Sequence, residues 1–158
     1  MITQGTSSTN STSFPIAAIL SKMQMNERNV DIQEECLVEL ANLAYANDNN
    51  KVTIVDAGGI DMILSAMKTH SNNRNVQEYG CAALWNFAVN DENKVTNVEV
   101  GGITTILSAM KTHSYNRNVK EYDCEALMNL ALNDENKVAI SRRYHFDSVC
   151  NERLFLQS

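Results

Sequence analysis

The chain repeats itself. Residues 58–100 begin "GGIDMILSAMKTHSNNRNVQEYGCAALWNFAVNDENKV", and residues 101–143 begin "GGITTILSAMKTHSYNRNVKEYDCEALMNLALNDENKV". The two stretches align without a gap, and 29 of the 43 positions are identical. An earlier segment, "IAAILSKMQMNERNVDIQEECLVELANLAYANDNNKV", follows the same pattern at a spacing of 44, with one extra residue near Ala46. Units of this length carry an apolar face that none can bury alone, so they must stack and share a continuous core.

Each unit reads as three helical pieces. The longest starts at a residue able to cap a helix, with glutamate three positions on: Asp31 with Glu34, Asn75 with Glu78, Asn118 with Glu121. That is the spacing of a reciprocal capping box. A short helix follows, "ENKVTNVEV" in the middle unit, and stops at a glycine pair, Gly58-Gly59 or Gly101-Gly102. Glycine suits a left-handed helix end, so the pair turns the chain abruptly. The third piece, "ITTILSAMKTH", places Ile103, Ile106, Leu107 and Met110 on one face. One proline, six glycines and few β-branched runs agree with an all-helical chain.

A net charge of −6 argues against nucleic acid, whose phosphates call for clustered lysine and arginine. No apolar run approaches the roughly 20 residues of a membrane span, and no secretory signal opens the chain. Four cysteines do not make a disulfide framework, so four free thiols and an intracellular setting, cytoplasmic or nuclear, are expected. Residues 1–14, mostly Ser and Thr, read as a disordered tail. The Asn10-Ser11-Thr12 triplet matches a glycosylation acceptor by chance composition.

The duplicated units allow an internal comparison along the long helix. One stripe pairs Cys81/Cys124, Leu84/Leu127, Phe87/Leu130 and Ala88/Ala131, with one mild change. The other pairs Tyr79/Tyr122, Ala82/Glu125, Trp85/Met128, Asn86/Asn129 and Val89/Leu132. An alanine does not give way to glutamate inside a core, because an unpaired buried carboxylate is costly. The first stripe is therefore core and the second faces outward.

Three helices per unit, a Gly-Gly turn and "G-G-I … N-x-x-V-Q-E-x-x-x-x-A-L-x-N-L-A" resemble the armadillo-repeat family, which includes β-catenin and importin-α. The resemblance covers roughly residues 15–143 and implies a right-handed α-solenoid. Its units here are a partial first repeat (15–57), two full periods (58–100 and 101–143) and a degenerate C-terminal cap (144–158). In the cap, Phe146, Val149, Cys150 and Arg153 keep the apolar spacing; an unstructured tail is the alternative. In this family the long third helices line a concave groove, and an asparagine there bonds the backbone of an extended peptide. Asn42, Asn86 and Asn129 match that ladder. An amide both donates and accepts, so it can bridge a peptide bond whatever the side chain. The alternative is that each asparagine ties a neighbouring helix. Importin-α carries a tryptophan four residues earlier, where this chain has Val38, Ala82 and Glu125, so its lysine-sandwiching array is absent. Trp85, with Tyr45, Tyr79, Tyr122, Glu125 and Met128, is expected to add to a partner-binding surface, or, for Trp85, to pack on the adjacent repeat.

Other chemistry is set aside. His70 and His113, in equivalent "MKTHS" segments, suit a helix C-terminus better than a metal site. Cys81 and Cys124 behave as small core residues, one repeat apart and beyond disulfide reach. No phosphate loop, HExxH or nucleophile elbow occurs. The expectation is an interaction module, not an enzyme, with no cofactor and no metal, binding a protein or peptide. Stacking through the solenoid ends, with copies of itself or within a longer array, is the alternative.

Overall fold

The computed structural model describes residues 13–88, 94, 97–99, 101–134 and 136–138. Among these the secondary structure is helical, without strands. Seven helices can be delimited: α1 (Ser13–Met25), α2 (Val30–Ala44), α3 (Asp48–Asp56), α4 (Gly59–Thr69), α5 (Arg74–Phe87), α6 (Gly102–Thr112) and α7 (Arg117–Ala131). The tail expected over 1–14 lies outside the described residues except for Ser13 and Phe14, which open α1. The cap expected over 144–158 lies outside them entirely.

The helices form two layers. The long helices α2, α5 and α7 pack side by side, one per repeat, and α1, α4 and α6 pack behind them. Within a repeat, α1 pairs with α2, α4 with α5 and α6 with α7. The short α3 crosses between layers, touching α1, α2, α4 and α5. The core runs unbroken between the layers, through Ile16, Leu37, Leu40, Ile63, Leu84, Phe87, Ile106, Leu127 and Leu130. A stacked solenoid requires this continuity, since no single repeat encloses a core.

The two glycines of each pair have different duties. Gly58 and Gly101 adopt φ of 80° and 91°, the left-handed conformation in which a side chain is strained. Gly59 is needed for close approach, because an added Cβ would meet the Ile54 carbonyl oxygen at 2.7 Å as well as the Ile54 side chain. The extra residue of the first repeat falls at the loop between α2 and α3. There Ala46 is the non-glycine residue with positive φ, 52°, among the described residues.

Helix starts differ from the sequence expectation. The capping residues are Asn29, Asn73 and Asn116, two positions before Asp31, Asn75 and Asn118. Their side chains accept from the amides of Ile32 at 3.2 Å, Val76 at 2.9 Å and Val119 at 3.1 Å. An N-cap needs extended backbone, which these three residues have, whereas Asp31, Asn75 and Asn118 already lie inside the helices. The cysteines also depart from expectation. Cys36 and Cys81 are free and buried, but Cys124 is disulfide-bonded, with its partner outside the described residues. No Cys81–Cys124 bridge forms, as repeat stacking requires.

Candidate functional face

The stripe Cys81, Leu84, Phe87 and Ala88 is wholly buried between the layers. On the opposite side of α5, Tyr79, Ala82, Trp85 and Asn86 are half-buried. Their counterparts on α7, Tyr122, Glu125, Met128 and Asn129, are half-buried too, and Leu132 beyond them is exposed. On α2 the same face presents Glu35 and Asn42, both exposed, with Tyr45 just past the helix end at 70% exposure. Stacking of the three long helices thus sets these residues in rows across one face.

Trp85 reaches into the next repeat. Its ring centroid lies 6.4 Å from that of Tyr122 at an interplanar angle of 43°, a tilted aromatic pair. Both rings rest on core side chains while keeping one side open. Packing on the adjacent repeat and availability to a partner are therefore not exclusive.

The asparagines are not equivalent. The Asn86 side-chain amide donates to the Ala41 carbonyl of α2 at 3.3 Å, a long bond to the preceding repeat. Among the described residues, Asn42 and Asn129 make no such side-chain bond, and Asn42 is exposed. The ladder positions thus share a face while differing in the partners they have in the isolated chain.

A second set of polar residues, overlooked in the sequence, joins the repeats. Glu34 accepts from the side-chain amides of both Asn73 and Asn75, at 2.9 and 3.0 Å. One repeat on, Glu78 accepts from Asn118 at 3.0 Å. The glutamates that suggested capping boxes thus reach across to the following repeat. Their recurrence at spacings of 44 and 43 was visible, but it fits either role. His70 and His113 do end their helices, and their Nε2 atoms also donate to the Glu27 and Ser71 carbonyls of the preceding repeat, at 2.8 and 2.9 Å. Among the described residues no group of side chains could hold a metal ion, and no helix is long and apolar enough to cross a membrane.

One buried carboxylate stands out. Asp123 on α7 has no exposed surface. Burial pushes its pKa up to about 7, and the neighbouring Cys81 thiol of α5 offsets part of that rise. The thiol's geometry still leaves both carboxylate oxygens without a satisfied hydrogen bond. Burial, and secondarily Asp123, hold the Cys81 thiol well above its usual pKa, which makes it a poor nucleophile.

Two layers of stacked helices, a Gly-Gly turn and a row of long helices bearing amides and aromatics define an α-solenoid of the armadillo type. The chain belongs to the armadillo-repeat family: the family model for the LRRK2 ARM repeat matches residues 14–150. Protein aardvark of Dictyostelium discoideum is 41% identical over an 82-residue alignment, covering 46% of this chain and 11% of that protein. An engineered protein, Northeast Structural Genomics Consortium target OR329, superposes with a TM-score of 0.73 over 89% of this chain and 59% of its own, at 23% identity. At that identity the likeness concerns the fold alone. The chain spans about a tenth of the length of the curated relative it matches.

Proposed function

We propose that the chain is a protein-interaction module, in which the face of α2, α5 and α7 forms a concave groove for an extended peptide or a helix of a partner. The observation that carries this reading is the row of half-exposed amides and aromatics on the long helices, where the opposite stripe is wholly buried. Asn42 and Asn129 have side-chain amides to offer a passing backbone, and Trp85 with Tyr122 offers a shelf for a side chain. No catalytic step forms part of the reading, and a cytoplasmic or nuclear setting is proposed with it.

End-to-end stacking of copies is the second reading, and charge disfavours it. The outer face of α2 carries Glu35 and Glu39 where α5 and α7 carry tyrosine and alanine: Tyr79 and Ala83, Tyr122 and Ala126.

Alanine substitution tests the groove. Replacing Asn42 or Asn129 should leave stability unchanged or raise it by a few tenths of a kcal/mol, alanine being the better helix former. Binding to a partner recovered by affinity capture should weaken about fivefold per lost hydrogen bond. Asn86→Ala should be near neutral in stability, its long bond to Ala41 offsetting the gain in propensity. Thermal melts beside binding titrations read both quantities. Unchanged binding in all three variants, with the fold intact, would reduce the asparagines to structural ties.

A further inference from the structure

The layer behind the candidate face carries a cleft that the first repeat junction lacks. Between α4 and α6 a cavity of about 190 Å³ opens beside the α4–α5 loop. The buried Met67 and Ala109 form its base, and Lys68, Ser71, Thr105 and Ser108 stand around it. The matching space between α1 and α4 is only about 10 Å³. Two side chains account for the difference: Met62 and Glu27 fill the first junction, where the second has the shorter Thr105 and Ser71. Elsewhere the lining recurs unchanged, Met23 as Met67, Gln33 as Gln77 and Ala66 as Ala109.

Charge changes along with volume. Gln24, Glu27 and Asp61 of the first junction give way to Lys68, Ser71 and Thr104 at the second, so two carboxylates are lost and an ammonium is gained. Lys68 is exposed and makes no ion pair among the described residues. Ser71 and Ser108 are exposed too, and among the described residues neither hydroxyl has a hydrogen-bond partner. Gln77, 2% exposed, donates from its side-chain nitrogen to the Met67 and His70 carbonyls at 2.9 and 3.2 Å. Two carbonyl acceptors fix which end of the amide is nitrogen. The oxygen is left at the cleft without a donor, and a nearly buried acceptor calls for one. From these groups we infer that the cleft takes the last residue of a peptide with a free carboxyl terminus. Its carboxylate meets the Lys68 ammonium and the serine hydroxyls, its N–H donates to the Gln77 oxygen, and an apolar side chain covers Met67 and Ala109. An inorganic anion would leave both the apolar base and the Gln77 acceptor unanswered.

Two peptides test this: acetyl-Ala-Ala-Leu with a free carboxylate, and the same sequence amidated. Each is titrated into the full isotope-labelled chain and followed by NMR. At millimolar concentration the acid should shift the amide resonances of Ser71, Ser108 and the Gln77 side chain while leaving the Trp85 indole unmoved. It should bind about threefold more tightly than the amide, and Lys68→Gln should erase that difference. Thr105→Met and Ser71→Glu restore the side chains of the first junction and should abolish the shifts. Ser71 is exposed, so its variant keeps the fold even where Thr105→Met does not, and circular dichroism melts check both. Equal binding of acid and amide to the unmodified chain overturns the carboxylate assignment. Shifts that survive both Thr105→Met and Ser71→Glu place the peptide elsewhere, and no shift with either peptide removes the site. Each of these results overturns the inference and leaves the groove reading as it stands.

Discussion

One repeat before Asp123 the chain has Gly80, where an added Cβ would run into the Met67 side chain at 2.6 Å. The third repeat puts a carboxylate in the corresponding place and buries it. Its folded-state pKa, about 7, lies above the ordinary 3.8 of an unfolded aspartate. A group raised on folding contributes its full share of stability below the unfolded pKa and loses it as pH rises towards the folded one. Stability attributable to Asp123 should therefore fall between pH 4 and 7 by roughly 1 kcal/mol per unit. Asp123→Ala should flatten that slope and be the more stable protein at pH 8. Urea melts of both proteins across this range measure it, and their difference cancels the titration of exposed carboxylates. A parallel pair of curves would mean that Asp123 ionises in the folded chain as readily as in the unfolded one.

At the scale of a helix, the helical residues 97–99, just ahead of the Gly101-Gly102 corner, contain a mismatch of the same kind. Asn97 is fully buried, and neither its amide nitrogen nor its oxygen has a partner. The preceding repeat places Ile54, fully buried, at this position. Asn97→Ile should stabilise the chain by about 1–3 kcal/mol, the usual cost of an unsatisfied buried polar group, read as a raised denaturant midpoint. The helices themselves were legible from periodicity and glycine placement, and the buried stripe from comparing two copies. The cap positions were not, because Asn73 and Asn75 are equally good capping residues by type. Only backbone conformation decides between them. The Cys124 disulfide escaped for a related reason: spacing along a repeat excludes Cys81 as its partner but says nothing of a cysteine beyond the repeats. Of the candidate site, the sharing of one face by Asn42, Asn86 and Asn129 was readable, but the Asn86–Ala41 bond was not. It depends on how closely α5 approaches α2.

For the whole molecule, the question is what makes three similar units act as one. The layers share a core, but apolar contact alone sets no fixed offset between neighbours. Glu34, gripping Asn73 and Asn75 while Asn73 also caps α5, supplies one: the carboxylate ties the repeats where the next long helix begins. Glu34→Ala leaves both amides without that acceptor and should destabilise the chain by about 1–2 kcal/mol. A double-mutant cycle with Asn75→Ala should return a coupling of about 0.5–1.5 kcal/mol. Additive effects in that cycle would assign the stacking to apolar burial alone.

Ala46 has a bearing on how such a chain can be lengthened or rebuilt. Its left-handed turn takes up the first repeat's extra residue within one peptide unit, and both helix layers continue in step on either side. The junction between a long helix and the short one after it is thus a splice point. Spare chain can be let out there without re-phasing the stack, which makes it the place to graft a loop. The Gly58-Gly59 corner, closed onto Ile54, leaves no such slack.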